Sequence, residues 1–190
     1  MKPISVQKRD LTRKAKQLRR AGLIPGSVYG GPLEHDIPLQ LDAAEVQKLI
    51  RETWQGSRVT LDLEGQSIPV QIKDADFEPI SRKILDISFE ALKADVKVNS
   101  MVHILLKNAD KLPTPPEKLL TEIPYDALPK DMIDTITLDL DGMPIGTVIT
   151  VADLPELQNP ALDLQVPADE IVLRIVEKKN LSEAASDEEE

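Results

Sequence analysis

Prolines recur from Pro3 to Pro167, fifteen in 190 residues, and with eight glycines they favour many turns and short strands over long helices. Aromatic residues are only 3% of the chain against 41% apolar residues overall, so any core must be built from Leu, Ile and Val. The length allows one or two domains, each large enough for a core of its own. There is no cysteine, which removes disulfides and thiolate metal sites and fits a reducing compartment. No apolar run approaches the roughly 18 residues of a membrane span, and the first residues lack the apolar stretch of a secretory signal. The expectation is a soluble, cytoplasmic protein.

In chain order, Ile4 and Val6 alternate with polar neighbours in a first strand over 3–8. Leu11, Ala15 and Leu18 fall at i, i+4 and i+7 and predict a helix over 11–21, stopped by Gly22. A strand carrying Val28 and Tyr29 ends at Gly30-Gly31-Pro32. The strand over 36–41 contains Pro38, which argues for a sheet edge. Asp42 with Glu45 reads as a capping box for a helix that aligns Val46, Leu49, Ile50 and Thr53 and stops at Gly56. Strands over 59–63 and 68–72 flank Glu64-Gly65 as a hairpin, and a strand over 84–92 completes the set.

Six short strands and two helices within residues 1–92 predict a small β-barrel with helices at its ends. Residues 93–179 read as a second, all-β domain, so the fold class is mainly β. Its expected parts are a strand pair broken near Asn99-Ser100, an extended proline-rich connection over 108–117, and strands over 119–125, 135–140, 147–151 and 171–176. Residues 180–190 are acidic without apolar periodicity and read as a disordered tail.

Charge is divided unevenly between the two halves. Residues 1–92 hold 14 basic and 13 acidic side chains, whereas residues 93–190 hold 9 and 20, in a chain of net charge -10. Eight of the basic residues fall within the first 20, where the only acid is Asp10. A cationic helix running into a strand that carries Tyr29 suits RNA, because each neutralised phosphate releases counterions and a guanidinium can pair two phosphate oxygens at once. A charged run can equally be a solvated helix face. The charge alone leaves both readings open, and confines any RNA surface to the first half.

Catalytic chemistry has little to work with. His35 and His103 have no partners at metal-site or nucleophile–base spacing, and no phosphate-binding glycine loop is present. Asp139-x-Asp141-Gly142 reads as a turn, since Val148 stands where a calcium loop needs its bidentate Glu. Asp74 and Asp76 would share a strand face with nothing else converging on them, and Trp54 reads as a packing residue. The expectation is a non-enzyme without metal, cofactor, membrane or small-molecule substrate.

These residues carry a resemblance. Lys16, Leu18, Arg19 and Arg20, then Gly22-Leu23-Ile24-Pro25 and Val28-Tyr29-Gly30, then Ile72-Lys73-Asp74-Ala75 before Glu78-Pro79, and Ile84-Leu85 leading to Phe89, resemble the Ctc family. That family is the bacterial large-subunit ribosomal protein number twenty-five, and the resemblance is to its longer two-domain form. Leu128-Pro129, Ile136 to Leu140 and Ile145 to Leu154 resemble the family's second domain, so the similarity runs from residue 3 to about 177. The resemblance implies a ribonucleoprotein component active in translation, binding 5S ribosomal RNA through a barrel in the central protuberance of the large subunit. It places Lys16, Arg19, Arg20 and Tyr29 on the RNA face. With the neighbouring cations, the candidate RNA-binding set is Arg9, Arg13, Lys14, Lys16, Arg19, Arg20, Tyr29 and Lys73. The acidic second half complements neighbouring basic ribosomal proteins in charge.

The chain departs from the family pattern at Asp76, where a Gln is usual, at Phe77, often basic, and at Asp86-Ile87-Ser88-Phe89, where the pattern is His-x-Asp-Phe. A carboxylate facing RNA costs on the order of 1 to 4 kcal/mol at about 4 Å. A second reading is therefore a stress-related paralogue that kept the fold as a protein-interaction adaptor with weakened RNA binding.

Overall fold

A computed structural model describes residues 3–176; the expected tail over 180–190 lies outside them. The first body is a closed six-stranded barrel. Its elements are β1 (Ile4–Lys8), α1 (Ala15–Arg20), β2 (Leu23–Tyr29), β3 (Ile37–Asp42), α2 (Ala43–Glu52), β4 (Arg58–Leu63), β5 (Gln66–Phe77) and β6 (Ile84–Ala91). The strands close in the order β1-β3-β2-β6-β5-β4, with β1 parallel to β4 and β2 parallel to β6. Inward residues are aliphatic apart from Phe89, as the scarcity of aromatics requires, and α2 adds Val46 and Leu49 to the same core.

Closure corrects one expectation. Pro38 is not on an edge, since β3 pairs with both β1 and β2. Its carbonyl still accepts from the Arg9 amide at 2.9 Å, and its missing N–H falls where the β1 pairing ends, just past Lys8 opposite Leu39. The close parallel approach of β2 and β6 depends on Gly26, where a Cβ would lie 2.6 Å from the Ile87 carbonyl oxygen.

The helices also differ from the periodicity. Asp42 caps α2 by accepting from the amides of Ala44 (2.8 Å) and Glu45 (3.1 Å). The first helix starts only at Ala15, leaving Leu11 75% exposed. Asp10 is the reason: its carboxylate accepts from the Thr12 amide at 3.0 Å and hydroxyl at 2.6 Å, and this local turn displaces the first helical turn.

The second body has one core between two sheets. One sheet is ordered β10-β7-β9-β12, from β7 (Val98–Lys107), β9 (Glu122–Ala127), β10 (Thr135–Asp139) and β12 (Asp163–Leu164). The other is β11-β13-β8, from β8 (Glu117–Lys118), β11 (Val148–Thr150) and β13 (Ile171–Arg174). β7 is continuous where a break at Asn99-Ser100 was expected. The two side chains make sideways bonds instead of a turn, Asn99 to Asp126 Oδ1 (3.0 Å) and Ser100 Oγ to the Gly56 carbonyl (3.2 Å). Tyr125 is fully buried, and its hydroxyl donates to the Ile133 carbonyl and accepts from the Ile133 amide, both at 2.8 Å. Asp141-Gly142 forms the expected turn, with Asp139 accepting from the Asp141 amide.

Candidate nucleic-acid interface

Helix α1 is fixed to the barrel by an apolar and a polar contact. Leu18 is fully buried, and Arg19 Nη1 donates to the Leu85 carbonyl at 3.1 Å. The remaining cations are spread over the free surface of the helix and its approach: Lys14, Lys16 and Arg20 are exposed, Arg13 half-buried. Arg9, just after β1, is half-buried, and together with Arg19 it lies close enough to Asp86 to favour that carboxylate's charged form. Six of the eight candidates therefore gather around α1. Tyr29 stands apart on the outer face of β2, and Lys73 stands apart on β5.

The outer wall of β2, β6 and β5 follows from register. Tyr29 aligns with Glu90 and Glu90 with Gln71; Ser27 aligns with Ser88 and Ser88 with Asp74; Asp86 faces Asp76. A β-bulge at Lys73 resets the alternation of β5. Ile68, Val70 and Ile72 point inward before it, and afterwards Asp74 and Asp76 lie outside around the inward Ala75. This wall thus carries Asp74, Asp76, Asp86 and Glu90. Burial pushes the Asp86 carboxyl above the usual range, the neighbouring Asp76 adds to it, and Arg9 and Arg19 offset part of the rise. Burial likewise raises the Tyr29 phenol, with Glu90, Asp36 and Asp74 adding to it, so its hydroxyl is a neutral donor at physiological pH.

Lys73 is engaged elsewhere. Its ammonium pairs with Glu90 Oε2 at 3.2 Å and reaches the Asn99 carbonyl of the second body at 3.3 Å. The bulge that frees it from the ladder also turns it toward the domain junction.

Beside α1 lies a feature that strand and helix patterns do not announce. A cleft of about 1190 Å³ opens between α1, α2 and the turn joining β5 to β6. Besides the α1 cations it is lined by Arg51, Arg82, Lys83 and Phe77, residues separated by up to 32 positions in sequence. The only available signal was their sign, because their convergence depends on barrel closure.

Among the described residues, no group of three His, Cys, Asp or Glu side chains is arranged to hold a metal ion, and no helix is long and apolar enough to cross a membrane.

Comparison with known proteins agrees with this architecture. The Ribosomal L25p family matches residues 4–89, and the C-terminal domain of ribosomal protein TL5 matches residues 97–179. The large ribosomal subunit protein bL25 of Dictyoglomus thermophilum is 31% identical over 197 residues, covering 98% of this chain and 94% of the relative. The protein of that name from Nitrosomonas europaea is 28% identical, covering 97% of this chain and 98% of the relative. General stress protein Ctc of Bacillus subtilis is 27% identical, with 97% and 91% covered. Similarity over nearly the whole of each chain, spanning both the barrel and the second β body, shows that this chain belongs to the ribosomal L25p family.

Proposed function

We propose that the protein is a structural, non-catalytic component of the large ribosomal subunit in the cytoplasm and binds 5S ribosomal RNA in the central protuberance through its barrel. The observation that carries this reading is α1. Its free surface presents Lys14, Lys16 and Arg20, while buried Leu18 and the Arg19–Leu85 bond fix its orientation. A rigid cationic helix can register a phosphate backbone, and the phenol of Tyr29 adds a neutral donor and a ring on the adjacent strand. Arg9, Arg13 and Lys73 complete the proposed RNA set. Lys73 contributes by holding the junction beside Glu90. The acidic second domain faces basic neighbouring proteins of the subunit.

Titrating the full chain against 5S ribosomal RNA and an unrelated structured RNA of equal length, at two salt concentrations, tests the reading. Preference for 5S RNA that persists at the higher salt is the expected result. Equal, salt-sensitive binding to both RNAs would overturn it.

One observation favours a second reading, an interaction adaptor with weakened RNA recognition: Asp76 directly faces Asp86 on the outer wall. On that reading Asp76→Gln with Asp86→His creates 5S RNA binding that the unmodified chain lacks. If the double variant also ignores 5S RNA, this account of the loss is wrong.

A further inference from the structure

We infer that the cleft between α1, α2 and the β5–β6 turn is a separate RNA contact that takes a single-stranded segment. Its phosphates would lie on Arg51, Arg82 and Lys83 beside Arg20, and an unstacked base on Phe77. The inference builds on the RNA-binding reading; Arg51, Arg82, Lys83 and Phe77, which it adds, lie outside the eight assigned above, and Lys16, Arg19 and Arg20 are shared with them.

The cleft is built for an anionic polymer with an apolar component. Ile24, Ala43, Ile50 and Ile84 supply apolar lining, and Lys16, Arg19, Arg20, Arg51, Arg82 and Lys83 supply six cations. None of the six makes an ion pair within 4.0 Å among the described residues. The only acid in the lining is Glu78, whose carboxylate already accepts from the Ser81 hydroxyl. Phe77 is 46% and Ile80 98% exposed on the same turn. Apolar side chains left in water amid unpaired guanidinium groups need a partner that is both charged and stackable.

Size and shape narrow the class. The cleft exceeds the roughly 300–1,000 Å³ typical of small-ligand sites, and it is continuous with α1 through Lys16, Arg19 and Arg20. A duplex keeps its bases stacked inside and presents a convex surface, whereas a single strand can bend into a recess and turn out a base. An acidic peptide would satisfy the cations but has no use for an aromatic platform. The position of Phe77 also changes the meaning of the departures. The β2–β6–β5 wall carries carboxylates, whereas the cleft lining sets six cations against the single acid Glu78, so favourable RNA contact extends from α1 toward α2.

The test uses the full chain with fluorescein-labelled octauridylate, an RNA duplex of the same length, 5S ribosomal RNA, and a peptide of the sequence NLSEAASDEEE. Arg51→Ala/Arg82→Ala/Lys83→Ala removes the rim outside α1, and Phe77→Leu removes the ring while keeping apolar bulk; circular dichroism confirms that both fold. The triple variant should bind the octamer at least tenfold more weakly, with a salt slope shallower by about 2, from about 0.7 for each of three phosphate contacts. Phe77→Leu should lose about fivefold or more without changing the slope. No octamer binding by the unmodified chain, or unchanged binding by the triple variant, overturns the inference. So do equal affinity for duplex and octamer, and tighter binding of the peptide than of the octamer. Failure of the 5S reading appears separately, as loss of preference for 5S RNA over unrelated RNA while the octamer results stand.

Discussion

Asp86 is where burial and charge oppose each other most directly. It lies half-buried opposite Asp76, and its carboxyl is held above the ordinary range first by burial, then by Asp76. The folded state therefore holds this proton more tightly than the unfolded state does. Between the ordinary carboxylate value of about 3.9 and the raised folded value, folding takes up a proton, so this site's contribution to stability increases as pH falls through the folded value. Above that value the cost is fully present. Asp86→Asn should consequently stabilise the protein at pH 7 by about 0.2–1 kcal/mol, the range of a cross-strand like-charge pair, and raise Tm by about 1–3 °C. Thermal melts at pH 7 and pH 3 check the sign, because the gain should vanish at the lower pH. The arginines separate in the same way. Arg20 is exposed, and Arg20→Ala should weaken 5S RNA binding, flatten the salt slope by about 1 and leave Tm unchanged. Arg19 also anchors α1 to the Leu85 carbonyl, so Arg19→Ala should lower both affinity and Tm.

At the level of elements, local chemistry was readable and its long-range consequences were not. The Asp42 cap stands in the sequence and in the structure, and Asp42→Ala should cost about 1 kcal/mol because two amides at the start of α2 lose their acceptor. A urea melt with unchanged m-value checks this. The periodicity of Leu11, Ala15 and Leu18 overextended α1 because spacing does not register an Asp that can hydrogen-bond the backbone two residues ahead. Six strands and two helices were countable from alternation and turn residues. Their number predicted a barrel, but the strand order that closes it was not readable, since the parallel pairs β1–β4 and β2–β6 join segments far apart in the chain. The candidate interface divides along the same line. The cations near α1 fall within twelve residues, Arg9 to Arg20, and are visible, and the outward placement of Asp74 and Asp76 needs the bulge at Lys73, which alternation alone cannot place.

For the whole molecule, the junction between the two bodies decides whether the acidic domain is held rigidly to the barrel. Several bonds cross it: Gln71 Nε2 donates to the Asn99 carbonyl at 3.0 Å, His103 Nε2 contacts the Gln55 carbonyl at 2.9 Å, and Arg58 reaches the carbonyls of Pro129 and Met132. Trp54, 45% exposed rather than packed in a core, stacks on His103 with ring centroids 5.1 Å apart. Gly56 sits between the bodies at φ +85°, where a Cβ would lie 2.8 Å from Ser100 Oγ and 3.0 Å from the Met101 amide nitrogen and carbonyl oxygen. Gly65 provides a control, with φ +89° and nothing within 4 Å of its Cβ position. Both Gly→Ala changes incur the left-handed backbone cost of about 1–2 kcal/mol, but only Gly56→Ala presses on β7. The difference in Tm between the two variants therefore isolates the junction. Gly56→Ala should melt lower than Gly65→Ala and shift the emission of Trp54, the chain's only tryptophan, while Gly65→Ala leaves that emission unchanged. Equal melting temperatures with unmoved emission would mean that β7 yields to the added methyl and that the two bodies are not tightly held. With the junction held, the acidic domain keeps a fixed direction relative to α1, so its charge acts on neighbouring surfaces from a defined position instead of being averaged over many.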